Sequence, residues 1–396
     1  MSKPGLIRSF LTVGSWTLIS RVLGLVRDLF MAAFLGAGAV AEAFQAAFAL
    51  PNLFRRFFAE GAFNLAFVPL YSKKLENDAD HEAFTSNAVS ALAGILILLT
   101  LVAQLAMPAL IYAMASGFSG DERFDLSVAM ARIIFPYLLF ISLAAVFSGI
   151  LNARGHFAIA AAAPVVLNIV LIGVMIAAYL ANWDFGFALS WGVAVAGVLQ
   201  MGLVYYGIHR LGVRIHWKLP RLTTDMKRLL VIALPALLTG GVVQINLLVG
   251  RQVASYFEGA YAWLYYADRL YQLPLGVVGI AIGVVLLPNL SRALASKDEA
   301  QGRDSYNRAI EFAMILTLPA AVALAVVPLP LISVLFERGA FLSSDSQATA
   351  LALAIYGLGL PAFVGQKIIQ PLYFAREDTA TPFRIALIAM VINAAH

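Results

Sequence analysis

The chain has 396 residues, 61% of them hydrophobic and 12% charged, with a mean hydropathy of +0.85. Soluble domains average about 45–50% apolar and about 25% charged, so an ordinary soluble protein, a disordered chain and a nucleic-acid binder are all excluded. The net charge is +5, from 27 Lys and Arg against 22 Asp and Glu, and there is no cysteine; disulfides, thiolate metal sites and Cys nucleophiles are excluded with it.

Apolar runs long enough to cross a bilayer, at about 20 residues each, follow one another closely. They lie near 10–35, 43–71, 86–113, 128–151, 158–181, 187–208, 228–252, 262–290, 309–333, 347–373 and 383–396. Strand-like alternation is absent, which argues against a β-barrel. Lys3 and Arg8 precede apolar sequence as in a signal peptide, but Arg21 and Arg27 interrupt that run. The start therefore reads as the first span of an all-α polytopic membrane protein and not as a cleaved leader.

The connections alternate in charge. Seventeen of the 27 cations fall on the side of the N-terminus, whereas the opposite connections hold Arg123 and Arg338 only. The positive-inside rule then puts the N-terminus in the cytoplasm. On the opposite side Asp121, Glu122 and Asp125 read as a solvated acidic loop. The longest cytoplasmic connection, 209–227 with the sequence HRLGVRIHWKLPRLTTDMK, follows six spans and divides the chain into 1–208 and 228–396. Binding to anionic lipid or to a partner is one reading of it; a basic loop that only fixes topology is the reading the sequence alone favours.

Eight cations remain inside or at the ends of spans: Arg21, Arg27, Arg55, Arg56, Arg132, Arg251, Arg269 and Lys367. A charge at the bilayer centre costs about 2.5–3.5 kcal/mol on insertion scales. Arg132 and Arg251 lie near span ends and can snorkel, and Lys367 sits in a polar patch with Gln366 and Gln370. The other five come with three acids, Asp28, Glu60 and Asp268. Arg21 and Asp28 are about two turns apart on one helix, and Arg56 and Glu60 are four apart and can pair. One reading is that these charges neutralise one another as packing contacts. However, two positive charges are left over, and a buried unpaired guanidinium is costly. An anionic ligand removes that cost, and the planar fork of Arg suits phosphate oxygens; two residual charges match a diphosphate.

Prolines at 51, 136, 164, 235, 274, 319 and 361 fall inside spans and permit bends of the kind that line transporter cavities. Gly279 and Gly283 form a GxxxG packing signal. FVPLYSKK at 67–74 and LLPNLSRA at 286–293 align at an offset of 219, which is a faint internal repeat relating the two halves. The five histidines have no metal-ligand spacing, and no P-loop, dinucleotide turn, G-x-S-x-G or HExxH is present. Catalysis, a metal and a cofactor thus find no support.

SRVLGLVRDLFMAAFLGAG at 20–38, ALPNLFRRFFAEGAFNLAFVPLYS at 49–72 and YYADRLYQLPLGVVGIAIGVVLLPNLS at 265–291 closely resemble the MurJ (MviN) family of lipid II flippases. VLFERGAF at 334–341 and FAREDTATP at 374–382 extend the resemblance along essentially the whole chain. It implies the fold of the MOP exporter superfamily: two pseudo-symmetric six-helix lobes around a central cavity, followed by two more helices. The chain is then expected to stop in about the eleventh helix, with 1–208 as the N-terminal lobe, 209–227 as the connecting loop and 228–396 as an incomplete C-terminal lobe. The implied activity is alternating-access transport of the undecaprenyl-pyrophosphate-linked peptidoglycan precursor to the outer leaflet of the bacterial cytoplasmic membrane, without catalysis.

By the same resemblance Arg27, Arg55 and Arg269 fall to the pyrophosphate and Arg21 to the cavity's gate or electrostatics. Ser20 and Asn52 sit in matching polar positions, and Asp28 and Asp268 orient the guanidiniums. Glu42 stands where many relatives have Asp and keeps a role at the outer gate, Gln272 stands where some have Glu, and Arg56 and Glu60 look structural. The expected partners are membrane lipid, lipid II and cell-wall synthesis proteins, with no nucleic acid and a monomeric protein. Two other functions compete. One is a flippase for another undecaprenyl-linked oligosaccharide; the other is a non-transporting membrane scaffold of cell-wall synthesis, which has no need for an excess of buried Arg. A cation exporter would bury net acid, the opposite of what is found here.

Overall fold

The computed structural model describes residues 3–56, 63–77, 80–281, 299–375 and 380–395. Glu60, Gly283 and the 286–293 half of the repeat lie outside the described residues. Within those described, the regular structure is helical throughout. The chain forms two compact units, Met1–Glu258 and Gly259–His396.

The first unit opens with α1 (Lys3–Leu35), α2 (Ala39–Arg55), α3 (Asn64–Glu76) and α4 (His81–Met114). It continues with α5 (Glu122–Ile134), α6 (Tyr137–Ala153), α7 (Phe157–Ala181), α8 (Phe185–Arg210) and α9 (Thr224–Ala254). The second holds α10 (Ala260–Ala281), α11 (Glu299–Val326), α12 (Pro328–Phe336), α13 (Ser343–Ala375) and α14 (Ala380–Ala395). Five of the described helices are long and apolar enough to cross a membrane, or six when α5 and α6, bent by 43°, count as one span. Pro136 lies at that bend, where its missing N–H and its ring interrupt the helical ladder. Helix α1 is not among the six; it carries Arg21, Arg27 and Asp28 within its 33 residues. Large apolar side chains such as Leu98, Leu105 and Leu180 are exposed, as a surface facing acyl chains requires and a soluble monomer avoids. The chain is a multi-pass membrane protein.

Helix starts are written in the sequence as side-chain caps. Asp80, Asp121, Asp184 and Thr223 accept hydrogen bonds from the backbone N–H of Ala83, Arg123, Phe187 and Met226, satisfying donors that have no intrahelical partner. Helix α6 stops at Gly155, whose φ is +79°, with the N–H of His156 returning 2.8 Å to the carbonyl of Leu151. That left-handed turn favours glycine.

In the first unit α7 lies against α1 and α8, α8 against α6, and α2 against α5. At one end of the bundle Arg154 ties three elements together. Its Nε donates 2.8 Å to Tyr71 Oη of α3, one terminal nitrogen meets His81 Nε2 of α4 at 3.0 Å, and the other reaches the carbonyl of Leu211 at 3.4 Å. The connection beyond α8 runs along α4, and α9 then packs on α3 and α4. That packing carries the contact boundary to Glu258, past the end of the sixth predicted span at 208.

At the other end the turn Ser116–Phe118 docks on the end of α9. Ser116 N–H donates 3.0 Å to Gln252 Oε1 and Gly117 N–H donates 2.9 Å to Ser255 Oγ. In the second unit α13 packs on α10, α11 and α12. Tyr266 lies 5.2 Å from both Phe336 and Phe341, and Trp263 Nε1 donates 3.0 Å to Asp345.

A Cβ on Gly117 would stand 2.4 Å from the backbone of Ser255 and Tyr256, which is a clash with main chain and not with a movable side chain. Gly117→Val is therefore expected to destabilise the first unit by about 1–3 kcal/mol or more, read as a lowered thermal midpoint of the purified protein. An unchanged midpoint would contradict this docking.

Candidate functional site

Buried charge marks the site. Arg27 of α1 is 7% exposed and Asp28 2%. The two are adjacent, yet both face protein: Arg27 Nε and one terminal nitrogen donate to Asp28 Oδ1 at 3.0 and 2.6 Å. The other terminal nitrogen donates 3.0 Å to Oδ1 of Asn168, on α7. Asn168 Nδ2 in turn donates 3.0 Å to the carbonyl of Ser20 and lies 3.5 Å from its Oγ. Asn168 passes over Gly24, where a Cβ would stand 3.8 Å from its amide. Ser20, Gly24 and Arg27 recur at helical spacing, so α1 presents one polar stripe to α7. The ion pair given to Asp28 is thus with Arg27. Arg21, two turns from Asp28, is exposed.

On α2 Asn52 and Arg55 lie in the last turn, next to Arg56. Asn52 is half-buried and donates 2.8 Å to the carbonyl of Phe48. Arg55 is half-buried and Arg56 is exposed. Cations at a helix C-terminus are favoured by the helix dipole, so the electrostatics of α2 itself help to hold them. The first turn of α2 carries Glu42, which is fully buried. Its Oε2 accepts from a terminal nitrogen of Arg123 at 3.0 Å. Arg123 also binds Asp121 through Nε (2.9 Å) and its second terminal nitrogen (2.6 Å). Its guanidinium lies 4.5 Å from the ring centroid of Phe118. Hydrogen bonding to Arg123 holds the Asp121 carboxyl below the usual carboxylate range.

Asp121, Glu122 and Asp125 are exposed, as the acidic-loop reading expects; Asp121 also caps α5 and grips Arg123, which is 7% exposed in the first turn of that helix.

In the second unit Asp268 and Arg269 of α10 are half-buried. Gln272 Nε2 donates to Asp268 Oδ2, and the guanidinium of Arg269 lies 4.5 Å from the ring centroid of Tyr265. Arg269 thus stands over a π face, and Asp268 accepts from the residue one turn on. Of the predicted site residues, Ser20, Arg27 and Asp28 meet in one network; Asn52, Arg55 and Arg56 share the end of α2; Asp268 and Arg269 are neighbours on α10. Sequence reasoning missed two participants, Asn168 and Arg123. A lone Asn in the apolar run VVLNIVL was the available signal for the first, since a polar side chain in a span must find a partner.

Comparison with known proteins bears on the chain as a whole. The family described as "Lipid II flippase MurJ" matches residues 31–396. A protein of Rhizobium tropici named "Probable lipid II flippase MurJ" is 50% identical over 397 aligned residues, 98% of this chain and 74% of that protein. A solved structure, "Lipid II flippase MurJ, inward closed conformation", superposes with a TM-score of 0.81 at 27% identity, over 97% of this chain and 80% of that one. An inward-facing multidrug resistance MATE family transporter of the MOP superfamily superposes with a TM-score of 0.74 at 14% identity, over 96% and 88% of the two chains; that likeness concerns the fold alone. With the family match over most of the chain and this identity to a curated relative, the protein belongs to the MurJ family of lipid II flippases.

Proposed function

We infer that this protein carries the undecaprenyl-pyrophosphate-linked peptidoglycan precursor, lipid II, from the inner to the outer leaflet of the bacterial cytoplasmic membrane, by alternating access. The observation that carries the reading is the guanidinium of Arg27, buried between α1 and α7 and held from two sides by Asp28 and Asn168. All three guanidinium nitrogens are oriented by protein acceptors, so the group is pre-positioned, and family membership supplies a cargo with a diphosphate. Arg27, Arg55 and Arg269 each engage the diphosphate in the course of transport, while Arg21 sets the local field. Ser20 and Asn52 supply neutral hydrogen bonds, and Asp28 and Asp268 fix their arginines. Glu42 acts at the outer gate through Arg123, whereas Arg56 and Glu60 serve the local structure. The N-terminus and the basic connections are cytoplasmic, on the strength of the charge asymmetry. Membrane lipid is the surrounding partner, cell-wall synthesis proteins are further ones, and the working unit is a monomer.

The cargo is anionic, so an inside-negative membrane potential favours its outward movement, by about 2.3 kcal/mol per charge per 100 mV. Collapsing the potential in proteoliposomes is expected to slow lipid II translocation at least several-fold; an unchanged rate would remove the potential as the driving force. Binding tests the site itself. Native mass spectrometry of the purified protein should show lipid II retained in preference to undecaprenyl monophosphate. Arg27→Ala and Arg269→Ala should each weaken that retention by roughly 30-fold or more, as expected when one member of a buried charge pair is lost. Arg56→Ala should stay close to wild type. Equal retention of the two lipids, with the Arg27 and Arg269 variants unaffected, would make the buried arginines structural and bring the scaffold forward.

A further inference from the structure

The segment 209–228 carries six Lys and Arg and one Asp. Its net +5 equals the net charge of the whole chain, so the rest of the protein sums to zero and the excess positive charge is concentrated here. The one acid, Asp225, is already paired with Lys74 of α3 at 2.8 Å. The segment is not a loose loop. His216 N–H and Lys218 N–H donate to Ser86 Oγ (3.0 Å) and Ser90 Oγ (3.3 Å) of α4. Asn87 exchanges two bonds of 2.7 Å with the backbone of Arg221. These are backbone tethers, so they fix the path of the chain and leave the basic side chains to point elsewhere.

Val213 and Ile215 turn inward, at 2% and 8% exposure, whereas Trp217, Leu219 and Leu222 are 58%, 89% and 64% exposed. Arg214, His216, Lys218 and Arg221 are exposed among them. The outer face of the strap therefore interleaves cations with an aromatic and two leucines. The residues that hold it, Ser86 to Ser90, begin five residues into α4, about 8–14 Å along its axis at 1.5 Å per residue. Both ends of the strap run into long helices, α8 and α9. Centred on a hydrocarbon core of about 30 Å, a helix of 34 residues overhangs by about 10 Å at each end, so the strap falls where headgroups meet acyl chains; its composition is that of an interfacial segment, with apolar groups for the acyl boundary and cations for phosphates.

We propose that the strap 213–222 is a docking site for anionic phospholipid headgroups of the bilayer, with Arg214, Lys218 and Arg221 meeting the phosphates and Trp217, Leu219 and Leu222 entering the acyl boundary. Soluble acidic partners lack an acyl phase for three exposed apolar side chains, which is why lipid is the occupant. The site is separate from the buried arginines and its test does not depend on transport.

The test uses the purified full chain in phosphatidylcholine nanodiscs doped with brominated phosphatidylcholine or brominated phosphatidylglycerol. The Trp217 signal is the difference in fluorescence between the wild type and Trp217→Phe. Brominated phosphatidylglycerol is expected to quench that signal at about one tenth of the bulk fraction that brominated phosphatidylcholine needs, a conservative value for several cations near an anionic surface. The triple variant Arg214→Gln/Lys218→Gln/Arg221→Gln changes only exposed side chains and keeps every backbone tether. It should lose the preference while both lipids still quench. Equal quenching by the two lipids in the wild type would overturn the proposal, as would a preference that survives in the triple variant. Absence of quenching by either lipid would also overturn it, and would reassign the cations to a soluble acidic partner.

Discussion

A guanidinium buried between helices is out of reach of water, so the protein itself must supply its hydrogen-bond partners. In the first unit that requirement is met by Asp28 beside Arg27 in sequence and by Asn168 from a different helix. Asp28 neutralises the charge, and Asn168 sets its direction. Because Asn168 also binds the carbonyl of Ser20, the three residues hold α1 and α7 in one register. Satisfying the charge and packing the two helices are therefore the same set of contacts. Removing one partner leaves a buried charge short of a hydrogen bond, which costs far more than a surface pair would.

The same logic recurs at both ends of the unit. Toward one end Glu42 and Asp121 share Arg123, which locks the start of α2 to the start of α5. Helix α2 is therefore anchored at its first turn, while Asn52 and Arg55 occupy its last. At the opposite end Arg154 gathers Tyr71, His81 and the backbone beyond α8. The helices between these polar ends pack through apolar and small residues, whose contacts are non-directional and tolerate sliding. The polar contacts at their ends confer specificity.

Much of this was legible in the sequence, and the rest was hidden for a physical reason. Arg27, Asp28, Arg55 and Arg269 stand out because a charge in an apolar run is costly wherever the fold places it. The helical class follows from the composition, and the caps at Asp80, Asp184 and Thr223 from short-range chemistry. Partners across long separations were not legible: Asn168 is 141 positions from Arg27, and Arg123 is 81 from Glu42. In sequence Arg123 counts only as a cation of a connection; its burial against Glu42 emerges only when α2 is set beside α5. The strap looked like a topology signal because its cations are visible in sequence, whereas its tethers come from Ser86, Asn87 and Ser90 of a helix far back in the chain. A short alternation of Val213 and Ile215 with Arg214 and His216 is the local trace of its extended path.

Under the proposed function Asn168 positions Arg27 for the cargo. A double-mutant cycle read in lipid II binding tests it most directly, with Arg27→Ala, Asn168→Ala and the pair compared with the wild type. Asn168→Ala is expected to weaken binding when Arg27 is present and to have little further effect when it is absent, a coupling of about 1 kcal/mol or more. Equal losses in both backgrounds would contradict it, and would leave Asn168 as a packing residue with no part in positioning the guanidinium.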